Sequence, residues 1–124
     1  MTVQEVISRV KAIKSPTPPD EDLLEIINDT EYEIVRKIIA PRSDDYEFDG
    51  YDDSDMNTRL KAPRPFDNVY VIACIREIDR RENQEQSFNN ATREYNEILS
   101  ELAAWWIRTH RPEPGRVHSC WWGV

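Results

Sequence analysis

The chain has 124 residues, 39% of them apolar, which suits one domain with a single modest core. Its three glycines and eight prolines, the prolines clustered between segments, exclude the many short turns of a β-sandwich and favour helices with proline-marked connections. Almost all of the net charge of −8 lies in DDYEFDGYDDSD, Asp44 to Asp55, which alone carries −7 and leaves 17 acidic against 16 basic residues elsewhere.

The first predicted element follows Thr2 and Glu5, whose spacing fits a capping box. Val3, Val6, Ile7, Val10 and Ile13 then make one helical face, ending near Lys14 because SPTPP follows. A second helix starts between Thr17 and Asp20, with proline in its first turn and Asp20, Glu21 and Asp22 at its positive dipole end. Leu23, Leu24, Ile27, Ile34, Val35 and Ile38 continue its apolar spacing until Pro41.

Residues 41–65 show no sustained period, and a connection of that length in a compact domain is functional or disordered. A short strand or hairpin around Tyr46–Tyr51 is weighed there, against acidic neighbours that oppose burial. A third helix is predicted from Asp67, as cap, to about Glu82. Its Val69, Tyr70, Ile72, Ala73, Cys74, Ile75 and Ile78 cover more than one face, so it should be the most buried element. After the polar RENQEQS, where a turn is expected, Phe88, Ala91, Tyr95, Ile98, Leu99, Leu102, Trp105 and Trp106 define a fourth helix ending before Pro112. The expectation is an all-α fold: a bundle of about four helices over 1–109, with the acidic loop between helices 2 and 3, and an extended tail over 110–124.

The charge pattern argues against nucleic-acid roles. A mimic of the DNA phosphate array spreads acid over several faces, and a nucleic-acid binder needs a basic one; the sequence shows neither. The EF-hand test also fails. With Asp45, Glu47, Asp49 and Gly50 at positions 1, 3, 5 and 6, position 12 falls on Met56, which cannot ligate calcium. His110, His118 and Cys120 lack a second ligand pair at zinc spacing. There is no phosphate loop and no nucleophile elbow, so the reading is not an enzyme, with no catalytic residue, metal or cofactor.

Cys74 and Cys120 sit in settings too different for a disulfide framework, which points to a reducing compartment. The run VYVIACI is too short to span a bilayer, and no signal-peptide pattern opens the chain, so no membrane partner is expected. Trp121 and Trp122 stand apart, separated from the last helix by Pro112, Pro114 and Gly115. Exposed tryptophans mark partner surfaces, so the tail reads as a docking arm; the alternative is that it folds back on its own helices.

Several stretches in this order carry a resemblance: YDDSDMNTRLKAPRPFDNVYVIACIREID with Pro65, Phe66, Asp67 and Tyr70, then SFNNATREYNEI with Phe88 and Asn89, then WWIRTHRP with Ile107 to Pro112. Together they resemble the small helical head–tail connector (adaptor, head-completion) proteins of tailed bacteriophages and prophages. The second helix lacks the tryptophan of that pattern near its start, and the tail beyond Pro112 does not align.

The resemblance implies a homo-oligomeric ring, dodecameric to match the portal, that binds the portal protein and the next neck or tail-completion protein. DNA would be only a passing channel occupant, and the setting would be the virion neck, with the host cytoplasm during assembly. With the portal as partner, the docking arm read from the exposed tryptophans becomes a portal-docking tail including Arg111, Pro112, Trp121 and Trp122. The resemblance also implies a channel or intersubunit role for Asp44, Asp45, Glu47, Asp49, Asp52, Asp53 and Asp55, with Arg59, Lys61 and Arg64 as partners. Two other classes compete: an acidic regulatory module of the inhibitor type, and a cation-responsive loop.

Overall fold

The structure, a computed structural model, describes residues 1–42 and 48–109. Four α-helices follow in order among these residues: α1 Val3–Ile13, α2 Asp20–Ile34, α3 Asn68–Arg81 and α4 Glu85–Thr109. They pack as the expected all-α bundle. No described helix is long and apolar enough to cross a membrane.

The N-terminus of α1 shows how closely the loop belongs to the body. A helix leaves its first four N–H groups without intrahelical partners. Here Val3 and Gln4 donate to the Thr58 and Met56 carbonyls of the loop, at 3.3 and 2.9 Å. Glu5 donates to Thr2 Oγ1 and Val6 to the Thr2 carbonyl, while Glu5 returns the capping box by accepting from the Thr2 amide. Leu60 N–H donates to the Met1 carbonyl, and the one β-bridge among the described residues joins Thr2 to Arg59. Residues 56–60 thus cap α1 from outside the helix.

Asp20, Glu21 and Asp22 sit in the first turn of α2 as expected. The prolines, however, precede the helix: Pro19 is its cap position and offers no side-chain acceptor. Beyond Ile34 the chain widens into a π turn, Val35–Ile39, then tightens into a 3₁₀ turn, Ala40–Arg42. Pro41 has no N–H and its ring would strike the carbonyl four residues back, so a regular α-turn cannot run through it. The wider turn, with Ala40 N–H donating to the Val35 carbonyl, carries the helix up to the proline.

The α3–α4 connection is three residues, shorter than the polar segment suggested. Asn83 sits in the left-handed region at φ +58°, which asparagine tolerates, and Gln84 N–H closes onto the Asp79 carbonyl at 2.9 Å. So short a link folds α4 back along α3. With 25 residues against 14, α4 runs past the start of α3 by roughly 16 Å at the helical rise per residue. This overhang sets Trp105 beside Phe66, ring centroids 5.7 Å apart, and Trp106 beside Trp105 at 6.1 Å. Both indoles are half-buried against the core.

The core draws on all four helices, with Val6, Ile7, Ile27, Tyr70, Cys74 and Leu102 at 0% exposure. As predicted, α3 is buried on more than one face. Burial pushes the Cys74 thiol up to about 12, so it packs as a small apolar side chain and is no nucleophile at neutral pH. Asp67 departs from its predicted cap role. Its backbone is helical, its side chain caps nothing, and its carboxylate lies 3.6 Å from the Met1 amino group.

Candidate functional site: the anchored acidic loop

Residues 48–62 leave a buried anchor on one side and exposed carboxylates on the other. The anchor begins with Phe48, whose ring stacks edge-on against Tyr32 at 4.8 Å and Tyr51 at 4.9 Å. Gly50 turns the chain at φ +103°, a conformation that side chains rarely adopt. An added Cβ there would stand 3.3 Å from the Tyr32 hydroxyl. This turn presents the Tyr51 backbone to Asn28 on α2, which grips it twice: Tyr51 N–H donates to Asn28 Oδ1 at 2.7 Å, and Asn28 Nδ2 donates to the Tyr51 carbonyl at 3.0 Å.

One turn along α2, Glu31 is fully buried. Its Oε2 accepts from the Tyr51 hydroxyl at 2.7 Å and the Lys61 amide at 3.0 Å; its Oε1 accepts from the Tyr70 hydroxyl at 2.7 Å. The Tyr70 oxygen in turn accepts from the Ala62 amide at 3.0 Å. A buried carboxylate is tolerated only when such donors replace water. Burial and the adjacent Glu31 push the Tyr70 phenol far above its ordinary value, so it stays a donor. Glu31 therefore ties the loop's Tyr51 and Lys61 to α3.

The predicted acids fall into three groups. Asp44, Asp45 and Glu47 lie outside the described residues. Asp52 and Asp55 are used locally: they form a reciprocal capping box on the short 3₁₀ turn Asp53–Asp55, with Ser54 N–H donating to Asp52 and Asp52 N–H to Asp55. Hydrogen bonds from the Ser54 hydroxyl and amide hold the Asp52 carboxyl below its usual range. Asp49 and Asp53 are exposed and take no part in that box.

Arg59 and Arg64 do not fold back onto the described acids. No ion pair joins Asp49, Asp52, Asp53 or Asp55 to Arg59 or Arg64 among the described residues, and both arginines are exposed. The Lys61 ammonium stands 5.6 Å over the Phe48 ring, adding a cation–π contact to the anchor. No group of three or more His, Cys, Asp or Glu is placed to hold a metal ion among the described residues. The tail assignments Arg111, Pro112, Trp121 and Trp122, with His110, His118 and Cys120, lie outside the described residues.

Sequence reasoning missed Asn28, Glu31 and Tyr51, although the signal for one of them was present. Leu24, Ile27, Ile34 and Ile38 recur on one face of the α2 region, and Glu31 occupies the position between that an apolar residue would fill. A charged residue inside an apolar stripe asks for buried donors elsewhere in the chain.

A second polar cluster lies where α2, α3 and α4 meet, around a cleft of about 270 Å³ lined in part by Asp29, Glu33, Arg76 and Tyr95. Arg76 lies 4.4 Å over the Tyr95 ring, and the Tyr95 hydroxyl donates to Glu33. Burial acts to raise the Glu33 carboxyl, but hydrogen bonds from Tyr95 and Lys37 outweigh it and hold the group below its ordinary value.

Comparison with family models, with curated proteins and with solved structures returned no match.

Proposed function

We propose that this chain is a structural assembly protein of the head–tail connector type, a subunit that oligomerises into a ring on a tailed-phage portal and links the DNA-filled head to the tail. The observation that carries the reading is the loop's anchoring. A segment that merely kept the protein soluble would need no buried carboxylate, no two-point amide grip and no aromatic stack beneath it. These contacts hold exposed Asp49 and Asp53 at a defined place on a helical body. Repeated around a ring, such charges form a strong local field, screened over about 8–10 Å at physiological salt. That field suits a channel wall that repels passing DNA, or a contact with Arg59 and Arg64 of a neighbouring subunit.

The same geometry favours a role without chemistry. The loop acids with assigned bonds serve a turn, and Glu31 has no exposed surface on which to meet a substrate. In the virion neck, the portal and the next tail-completion protein are the partners that follow from the resemblance.

The test is comigration with the cognate portal ring on size exclusion, using the full-length chain, a chain ending at Arg111, and Asp49→Asn/Asp53→Asn. Neutralising Asp49 and Asp53 spares the capping box that Asp52 or Asp55 variants would break. The full-length chain should comigrate in a fixed ratio, the truncated chain should not, and the neutralised loop should weaken the complex. Failure of the full-length chain to bind would favour the acidic regulatory module.

A further inference from the structure

Phe48–Asp55 meets the rest of the protein chiefly through α2, and its polar grip rests on two side chains one turn apart. Asn28 takes both backbone groups of Tyr51, and Glu31 takes its hydroxyl. The hydrogen bonds of Asp52 and Ser54, by contrast, stay within the segment, and Asp55 reaches beyond it only through its carbonyl, which accepts from the Thr58 amide at 2.9 Å. Immediately afterwards the attachment changes character: Met56, Thr58 and Leu60 bond to the start of α1, and Leu60 and Ala62 enter the core. The chain therefore passes from a stretch held by α2, with the Lys61 ammonium over Phe48, to a stretch built into the body.

We propose that Asn28 and Glu31 are positioning residues forming a two-point latch, and that Phe48–Asp55 opens from α2 as a unit of its own while the four helices stay folded. The physical ground is that cooperative units separate where few apolar contacts cross between them. Phe48 and Tyr51, both half-buried, supply the segment's apolar contact, whereas residues 60–62 share the core of α1 and α3. Opening uncovers the faces of Tyr32, Phe48 and Tyr51 and moves Asp49 and Asp53 with them. If the loop is the assembly surface proposed above, the latch governs it from beneath. The inference itself rests only on how the loop is attached, and its test needs no portal.

The test is native-state hydrogen exchange on the full-length protein, comparing wild type with Tyr51→Phe and Asn28→Ala. Tyr51→Phe removes the loop's side-chain bond to Glu31 and leaves the Tyr70 and Lys61 donors in place, so the helical core should survive it. The Tyr51 and Asp55 amides should exchange on the order of ten-fold faster or more in both variants, while Val71–Cys74 of α3 keep their wild-type rates. Equal acceleration in the loop and α3 would overturn the proposal, because the loop would then open only with the body. Unchanged loop rates in both variants would also overturn it, because neither side chain would then be the latch.

Discussion

Glu31 and Asp79 are each fully enclosed, and each joins parts of the chain far apart in sequence. Their partners differ. Asp79 Oδ1 meets the Lys14 ammonium at 2.6 Å and Oδ2 accepts from the Ser87 hydroxyl, so a cation at the end of α1 neutralises it where α3 turns into α4. Glu31 is held by three neutral donors: two phenols and an amide. The Lys14 side chain keeps 25% of its surface exposed, so water shares its charge. Of the Glu31 partners, Tyr70 is fully buried and Tyr51 half-buried, and none of the three donor groups carries a charge. One carboxylate makes a tolerant clamp between helices; the other makes a directional pin, in which each donor fixes a different segment.

Several substitutions would break or sharpen this contrast. The largest effect is expected from Glu31→Leu, which strands the Tyr51 and Tyr70 hydroxyls and the Lys61 amide. Urea unfolding should show a loss of about 4 kcal/mol, since each unsatisfied buried group costs roughly 1–3 kcal/mol. A loss below about 1 kcal/mol would mean that water or a rearrangement replaces the pin.

Asp79→Leu should cost less, about 2 kcal/mol, because Lys14 can turn toward solvent. Adding Lys14→Met should restore roughly half of it, as removing both members of a buried pair is commonly far milder than removing one. No such pairwise rescue is available at Glu31, so a double-mutant comparison of the two sites separates clamp from pin.

Gly50→Ala tests the turn that brings Tyr51 to the pin. A residue with a Cβ at φ +103°, pressed to within 3.3 Å of the Tyr32 hydroxyl, should cost about 1–2 kcal/mol by thermal denaturation. The smallest effect is expected at the half-exposed Glu33. Its folded-state carboxyl lies below the ordinary value of 4.5, so it stabilises the fold above that pH and the contribution is lost as pH falls through the lower folded value. Glu33→Gln should therefore melt earlier than wild type at pH 7, with the gap closing below about pH 4.5. A gap independent of pH would show that packing, and not charge, sets the difference.

Much of the helical body was legible from periodicity and punctuation. The Thr2–Glu5 box, the α1 face, the acidic start of α2 and the many-sided burial of α3 all follow from local signals that a single sequence carries. The loop was not legible, because its hydrogen-bonding partners on α2 lie 20 to 30 residues away and are polar. Seven acids in twelve residues drew the eye to charge, whereas Phe48, Gly50 and Tyr51 between them make the anchor. The Asp67 cap failed for a related reason: its carboxylate meets the Met1 amino group, a partner no local motif reveals.

The connector reading is tested most directly by the native mass of the complex formed when the protein is mixed with its cognate portal ring. The account predicts one assembly with a fixed whole-number ratio of this chain to portal subunits, twelve to twelve on a dodecameric portal. A portal ring that emerges bare, with this chain at the mass of free monomer or dimer, would contradict it.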